Sequence, residues 1–261
     1  MIAVFQSELY RVRKSKTFIV CLSLAIFFVL ALAISYNYDY VRVPEKAGSL
    51  VFPSLADFTE YLFSDYSMIS PLLLFLIVHI TSDFKQELYP VLLSKGIKRT
   101  AIFWGKLLSC LCAMMLYLVI CIVFAYAVIF TMWANISGVN IPVFEIGTYL
   151  SIQFLSFGAY TTFVLMICYL LRNRTTSFFV NYLLIAVLWL YLTKIGIALD
   201  MSYPLYQYWI VGLSNGLQIE QIPHNIGRII VTITLYFIIP IAVTRTTFCH
   251  FDIKNSEKGK L

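Results

Sequence analysis

Long apolar segments alternate with short polar segments along almost the whole chain. Six apolar segments are candidates for membrane spans, and they cover residues 17–35, 67–82, 101–131, 147–170, 176–198 and 226–244. A helix needs about 20 mainly apolar residues to cross the hydrocarbon core of a bilayer. The pattern therefore predicts an all-α membrane protein with six transmembrane helices, folded as a single domain over residues 1–261.

Composition supports this prediction, and the distribution of charge indicates an orientation. Of the residues, 61% are hydrophobic and 12% are charged, whereas about a quarter are charged in a typical soluble domain. Most of the 19 Lys and Arg residues precede the first predicted span, follow the sixth, or lie between spans two and three or four and five. Because basic loops remain in the cytoplasm, we expect both termini to be cytoplasmic.

Residues 1–16 have the pattern of a helix that lies on the membrane surface. Ile2, Phe5 and Leu9 follow helical spacing. The polar side carries four basic residues, which are Arg11, Arg13, Lys14 and Lys16. The apolar run that follows is longer than the roughly 7–15 apolar residues of a signal peptide. We therefore predict an interfacial helix that leads into an uncleaved first span.

The polar segment 83–100, between spans two and three, also has helical periodicity. Four apolar residues share one face of a helix, namely Phe84, Leu88, Val91 and Leu92. Pro90 is tolerated only in a first turn or at a kink, and Gly96 is suited to end the helix. We predict a short, broken amphipathic helix at the cytoplasmic surface; the alternative is an ordinary basic loop that follows the positive-inside rule.

Three segments are expected on the opposite side of the membrane, and the shortest of them, residues 132–146, has no Lys or Arg and only Glu145 as a charged residue. Residues 36–66 are rich in acidic residues and in Tyr and Phe, and residues 57–63 have the pattern of a short interfacial helix, with a solvated loop as the alternative. Residues 200–225 contain no Lys or Arg and are too apolar for a free loop. Two prolines and two glycines interrupt them, so we predict a re-entrant helical hairpin between spans five and six.

Few polar side chains lie inside the predicted spans. His79 stands one helical turn before Asp83, so the two side chains are placed to touch. They form either a proton-linked pair or a polar contact at a helix end. Gln153 and Asn181 lie inside the fourth and fifth predicted spans, where such residues either line a pathway or bridge neighbouring helices.

The sequence lacks the motifs that usually indicate catalysis or nucleotide binding. It contains no phosphate-binding loop of the form GxxxxGK[ST], no HExxH and no GxSxG. The six cysteines lie mostly in apolar runs without a CxxC pair, so we interpret them as small apolar residues. Mid-depth ionisable groups, which ion-coupled transporters use, are also rare. We expect no enzyme activity, no metal and no cofactor in this chain, and no nucleic-acid partner.

The layout resembles the permease subunits of ABC-2 type ATP-binding-cassette transporters over the whole chain. The matching motifs are Phe84 and Glu87, then Lys98–Arg99, then Gly105–Lys106–Leu107 at the start of the third span. The resemblance implies that the segment between spans two and three couples the permease to a cytoplasmic ATPase. It assigns this coupling to six residues, which are Phe84, Glu87, Leu88, Lys95, Lys98 and Arg99.

The resemblance also implies partners and a type of substrate. Two ATPase subunits would bind ATP and magnesium, and a second permease copy or a paralogue would complete a pathway in the bacterial cell membrane, in contact with lipid. Compact members of the family export or confer immunity to antimicrobial peptides such as bacteriocins, or move other peptides or drugs. The alternatives are a membrane scaffold or receptor without transport and, less favoured, an intramembrane enzyme.

Overall fold

The computed structural model describes residues 2–38, 54–85, 88–133, 141–199 and 205–249. These ranges contain helices and turns, without a β-strand among them. The α-helices in chain order are α1 Ile2–Lys14, α2 Lys16–Asn37, α3 Leu55–Phe63, α4 Ile69–Lys85, α5 Leu88–Ser94, α6 Arg99–Trp133, α7 Val143–Leu171, α8 Arg174–Leu183, α9 Trp189–Ala198, α10 Ile210–Asn215 and α11 Ile222–Cys249. A π-helical turn, Leu184–Leu188, joins α8 to α9, and 3-10 turns flank α10 at Leu205–Tyr208 and Ile219–Gln221.

The described structure holds five helices that are long and apolar enough to cross a membrane. They are Lys16–Asn37, Arg99–Trp133, Val143–Leu171, Arg174–Ala198 and Ile219–Phe248. The predicted second span forms α4, which is apolar but has only 17 residues. At 1.5 Å per residue α4 is about 26 Å long, shorter than the bilayer core of about 30 Å. The chain thus has the fold of a helical, multi-pass membrane protein, and α4 is not among the candidate spans.

A helix is present in the segment 1–16 as α1, and a cap separates it from α2. Ser15 has an extended backbone, and its hydroxyl accepts a hydrogen bond from the Phe18 N–H at 3.3 Å. A serine in this position satisfies one of the free N–H groups at a helix start. The chain therefore changes direction at Ser15, so that α1 packs along α6 while α2 packs against α3, α4 and α6.

The polar segment between α4 and α6 differs in part from the prediction. Phe84 belongs to the end of α4, not to the short helix, which begins at Leu88. Val91, expected on the buried face, is 49% exposed, and Tyr89 is the buried residue instead. The short helix ends close to the glycine that the sequence indicates. Gly96 follows α5 with a positive φ of 78°, a conformation that favours glycine. Pro90 falls in the first turn, where no N–H is needed.

The opposite end of the bundle contains α3, α10 and the two 3-10 turns. Of the two alternatives for residues 57–63, the helix is found, and α3 buries Phe58, Leu62 and Phe63. In α10, a Cβ at Gly212 would overlap the carbonyl oxygen of Tyr206, so this glycine permits the tight turn. The segments predicted on the opposite side of the membrane include residues 39–53, 134–140 and 200–204, which lie outside the described ranges.

A carboxylate joins α3 to the second 3-10 turn. Glu60 Oε1 accepts a hydrogen bond from the Ile219 N–H. Burial raises the pKa of Glu60 above its ordinary value; the Ile219 hydrogen bond opposes this shift, and the neighbouring Asp57 and Glu220 charges add to it. The ionised carboxylate is therefore less favourable in the folded protein than in the unfolded chain.

Glu60→Gln is expected to stabilise the protein at high pH. The amide oxygen can still accept from Ile219, but the buried charge is gone. Because the folded-state pKa is raised, wild type loses stability as pH rises through that pKa, whereas the variant does not. Unfolding midpoints in detergent at about pH 8 and about pH 4 should differ between the two proteins only at the higher pH. The exposed Glu145→Gln is the control, and an equal gain there would contradict this assignment.

Helix α7 lies at the centre and packs against α3, α4, α6, α8, α10 and α11. Its contact with α11 provides a hydrogen bond for a backbone carbonyl of α11 that has no partner within the helix. Pro240 lies inside α11 and has no N–H, which leaves the carbonyl of Tyr236, four residues earlier, without its helical partner. The buried hydroxyl of Thr162 in α7 lies 2.8 Å from that oxygen and also 2.8 Å from the Ala159 carbonyl. One side chain of α7 thus supports the proline-containing turn of α11.

Thr162→Val is expected to destabilise the packing of α7 against α11. Valine keeps the shape but leaves the Tyr236 carbonyl unsatisfied in an apolar setting, which costs about 1–3 kcal/mol. Denaturant unfolding in detergent measures the loss, and Thr162→Ser, which retains the hydroxyl, should lie closer to wild type. If the Val and Ser variants are equally stable, Thr162 does not support that carbonyl.

Candidate functional site

Four charged side chains at one end of the bundle form a closed ring of ion pairs. Arg11 donates from one guanidinium nitrogen to Glu8 Oε1 and from the other to Asp83 Oδ1, each at 2.7 Å. The Lys106 ammonium lies 2.9 Å from Glu8 Oε2 and 2.6 Å from Asp83 Oδ2. Each cation bridges both carboxylates, and each carboxylate oxygen has one charged partner. We call these four residues the ion-pair ring.

The ion-pair ring is largely buried. Lys106 is 1% exposed, Asp83 2% and Glu8 8%, while Arg11 is half-buried. Burial acts to lower the pKa of Arg11, but the charges of Asp83 and Glu8 outweigh it and raise the pKa, so Arg11 stays a cation. Two negative and two positive charges together offset the cost of removing each from water.

A close approach of two helices brings the ring together. Gly105 in α6 faces α1, where a Cβ on this residue would come within 2.8 Å of Val4 Cγ1. Because a glycine lets the helices lie close, Glu8 on α1 reaches Lys106 on α6. Lys106 also donates to the His79 carbonyl at 3.1 Å. One ammonium therefore ties α1, α4 and α6 together.

His79 is adjacent to the ring, but its partner is not the predicted one. Its Nε2 lies 3.6 Å from Glu8 Oε2 and makes no hydrogen bond in the described structure. The imidazole stacks on Phe75, with ring centroids 5.4 Å apart, within the range of about 4.5–7 Å for aromatic pairs. No ion-pair distance joins His79 to Asp83 among the described residues, because Asp83 is taken up by Arg11 and Lys106. The expected His79–Asp83 contact is thus replaced by a contact with α1.

An aromatic cluster lies beside the ring and holds α5 to the bundle. It consists of Phe84, Tyr89, Tyr169 and Phe248, whose ring centroids lie 5.2–6.3 Å apart. The hydroxyls of Tyr89 and Tyr169 are 2.9 Å apart, and Tyr89 also lies 3.5 Å from Asp83 Oδ2. Burial raises the pKa of Tyr89 well above its ordinary value, so its hydroxyl remains a donor. Tyr89 therefore connects α5 to α7 and to the ring.

The residues assigned to coupling lie around α5 in different environments. Phe84 is half-buried in the aromatic cluster, and Leu88 is half-buried at the start of α5. Lys95 and Lys98 are exposed, and Arg99 is half-buried. Glu87 lies outside the described residues.

The two polar residues predicted inside spans have local partners. Gln153 in α7 donates to the Ser214 carbonyl at 2.9 Å and accepts from the Ser214 hydroxyl at 2.7 Å, so it joins α7 to α10. Asn181 donates to the Ser177 carbonyl of its own helix at 2.8 Å. Its Oδ1 is buried, with no partner in the described structure. Gln153 therefore bridges helices, while Asn181 bonds within α8.

Glu8 and the shared role of Arg11, Asp83 and Lys106 are not predicted from the sequence. Arg11 is predicted only as a basic residue of the segment 1–16, and Lys106 only as part of a motif at the start of the third span, although two signals are present. Glu8 is the one acidic residue among the basic residues of segment 1–16, and Lys106 lies inside an apolar run. Buried charges require partners, so a lone acid and a lone base near the same membrane surface are candidates for pairing.

The contacts described at this end join helices to one another. The described residues hold no group of three or more His, Cys, Asp or Glu placed to bind a metal ion. The fold and the site together define a helical, multi-pass membrane protein whose N-terminal helix is joined to the bundle by ion pairs. Comparisons with family models, curated proteins and solved structures find no match to this chain.

Lys106→Met is expected to destabilise the protein strongly. The variant leaves two buried carboxylates with Arg11 as their one remaining cation in the ring, and removal of one partner of a buried ion pair typically costs about 3–5 kcal/mol. Denaturant unfolding in detergent measures the loss. Lys98→Met, which removes an exposed charge, is the control and should be close to wild type.

A double variant separates pairing from other effects of the substitution. Glu8→Gln with Lys106→Met removes one charge of each sign, so the Arg11–Asp83 pair remains balanced. The double variant should lose less stability than the two single variants lose in sum, since the free-energy changes of substitutions at residues in contact are not additive. Strictly additive losses would mean that Glu8 and Lys106 do not interact.

Proposed function

We propose that the chain is the permease subunit of an ATP-driven transporter of the ABC-2 type, which exports an amphipathic or hydrophobic substrate across the bacterial cell membrane. In this proposal two cytoplasmic ATPase subunits bind ATP and magnesium, and the chain itself is not an enzyme. The short helix α4 acts as the second of six spans, and both termini are cytoplasmic. Residues 205–221, which are the described part of the predicted segment 200–225 that precedes α11, are re-entrant. A second permease copy or a paralogue completes the pathway.

One observation carries the proposal: two short helices, α1 and α5, are both held to the same end of the bundle by polar contacts that meet at Asp83. The ion-pair ring joins α1 to α4 and α6. Tyr89 joins α5 to Tyr169 of α7 and approaches Asp83 of the ring. A force applied to either surface helix would therefore reach three of the helices that form the membrane bundle.

The outer side of α5 has the features of a docking surface. Pro90, Val91, Ser94 and Lys95 are exposed, while Tyr89 faces the bundle. Lys98 is exposed just beyond Gly96. An apolar residue flanked by cations suits a partner surface with an apolar pocket and an acidic rim.

Coupling requires the partner to distinguish two states of the permease. An ATPase can shift the permease between conformations only if it binds α1 or α5 differently in each. The ion-pair ring favours movement of α1, α4 and the start of α6 as one body, because breaking the ring would leave buried charges unpaired. ATP-driven closure of the ATPase pair would then tilt these helices together.

The proposed substrate class follows from the surface between α7 and α11. A groove of about 360 Å³ lies there, lined by seven apolar residues between Ile152 and Phe237 and by the hydroxyl-bearing residues Thr148, Ser151 and Thr234. Its size is within the range of sites for small molecules and short peptide segments, roughly 300–1,000 Å³. An apolar wall with a few hydroxyls suits an amphipathic substrate.

The test is affinity purification of the chain from its native membrane in mild detergent, with detection of co-purified ATPase and ATP hydrolysis. Wild type should retain an ATPase. Lys95→Glu with Lys98→Glu should reduce retention at least about tenfold, since like charges placed against an acidic partner cost several kcal/mol. These exposed residues are preferred to Arg99, because Arg99 is half-buried.

The control is Arg245→Glu, which reverses an exposed charge at the same end of the bundle but on α11. It should retain the ATPase. A wild-type eluate without an ATPase, from protein that remains folded and stable alone, would overturn the proposal and favour a scaffold or receptor. Equal retention by all variants would reject α5 as the docking element.

A further inference from the structure

The end of the bundle opposite the ion-pair ring carries an excess of negative charge, and we call it the acidic end. Its described carboxylates are those of Asp57, Glu60, Asp65, Glu145 and Glu220. Its described cations are Lys194 and Arg228. A surface with an excess of one charge raises the local concentration of ions of the opposite charge. The acidic end therefore attracts cations.

A polar cleft of about 470 Å³ opens at the acidic end. Two of the carboxylate residues line it, Asp57 and Glu60, which stand three positions apart on α3 and so share one face of this helix. The other lining residues come from α2, from the end of α3 and from the segment around α10, namely Tyr36, Tyr61, Ser64, Tyr206, Asn215, Gly216, Leu217 and Gln218. The volume is within the range of sites for small organic molecules, roughly 300–1,000 Å³.

The two carboxylates of the cleft have no cationic partner among the described residues. The ion pairs of the described structure all belong to the ring or to His79 beside it. Burial raises the pKa of Asp57 and of Glu60, and the charge of Glu220 raises both further. The ionised carboxylates thus repel each other in a partly desolvated place, and a bound cation would offset that cost.

A buried acceptor at the same cleft also lacks a donor. Asn215 is the last residue of α10 and lines the cleft. Its Oδ1 is buried and makes no hydrogen bond in the described structure. A buried polar atom without a hydrogen bond is costly. The cleft therefore combines two carboxylates with an amide oxygen, and each of these groups can accept from an N–H donor.

Three tyrosines complete the lining of the cleft. The rings of Tyr36 and Tyr61 have centroids 5.4 Å apart, and Tyr206 belongs to the 3-10 turn before α10. Aromatic side chains attract organic cations through the ring face. They also provide apolar contact for the methylene groups that carry an amine. Tyrosines beside carboxylates thus suit a charged amine on an alkyl chain.

We propose that this cleft binds the primary ammonium group of a soluble ligand, which is either a free polyamine or the lysine side chain of a peptide. An ammonium group has three N–H donors and one positive charge, which match the carboxylates of Asp57 and Glu60 and the Oδ1 of Asn215. Calcium is less suited to this donor set, because it takes six to eight oxygen ligands and the described residues place no group of three acids here. Binding needs no ATPase, so the inference goes beyond the proposed transport function.

The experiment is isothermal titration of the purified chain with spermidine in an uncharged detergent, at about pH 8, where carboxylates are ionised. Wild type should bind one spermidine per chain. Asp57→Asn with Glu60→Gln should weaken binding at least about tenfold, because hydrogen bonds to charged groups are lost. The matched control, Asp65→Asn with Glu145→Gln, removes two exposed carboxylates of the same end outside the cleft and should bind as wild type does.

The unfolding midpoint of each variant without ligand separates a loss of binding from a loss of folding. The Glu60→Gln substitution is expected to stabilise the protein at this pH, since it removes a charge whose pKa burial has raised. The single Glu60→Gln variant should therefore bind spermidine more weakly than wild type while it unfolds at a higher temperature. Unweakened binding by a folded Asp57/Glu60 double variant would remove the cleft from consideration.

Two competitors distinguish the sources of the ammonium group. A short amphipathic peptide that contains lysines is added to the spermidine complex, and the same peptide with acetylated lysines is added in parallel. Displacement by the lysine peptide alone would assign the site to a peptide, and displacement by neither would assign it to a free polyamine; both results support the proposal. Equal displacement by both peptides would contradict it, because the acetylated peptide has no ammonium group to offer.

Two further results would overturn the proposal. Equal weakening in the two double variants would indicate attraction to the whole acidic end instead of a site. Equal displacement of spermidine by magnesium ions at the same concentration would show that the cleft recognises charge without recognising an amine.

Discussion

Two carboxylates and two cations, buried together where α1, α4 and α6 meet, make the positions of these helices depend on one another. Each charge has lost most of its water, and each is acceptable only because two opposite charges contact it. Moving α1 away from the bundle would leave Asp83 and Lys106 with fewer partners and would expose Glu8 and Arg11 as an isolated pair. The ring therefore fixes α1 to the bundle with a precision that apolar contact alone does not provide, because apolar contact is non-directional.

Neutral polar groups inside the bundle also need partners. Lipid offers no hydrogen bonds, so each backbone or side-chain polar group inside the bundle needs a protein partner. Thr162 satisfies the carbonyl that Pro240 leaves free, and Gln153 exchanges two hydrogen bonds with Ser214. These contacts link α7 to α11 and to α10. Together with the ring they explain why α7, the most central helix, is joined to its neighbours by polar contacts as well as by packing.

Much of the fold could be predicted because long apolar runs, caps and glycines act locally. The break at Ser15, the end of α5 at Gly96 and the presence of α3 follow from neighbouring residues. The helix containing Phe84 was predicted wrongly because helical spacing continues across residues 86–87, whereas α4 ends at Lys85 and α5 begins at Leu88. Periodicity cannot show which of two consecutive helices contains a residue at their junction.

The sequence by itself determined the class of protein, the approximate extent of its long helices and the segregation of basic residues to one end, because hydropathy and charge act segment by segment. The tertiary structure decided which charges meet. Glu8 and Lys106 are 98 positions apart, and no local pattern indicates that α1 lies along α6 at Gly105. Pairing across such a distance depends on how helices pack, so Arg11, which resembles an ordinary surface cation in sequence, and Lys106 are ring members only in the folded protein.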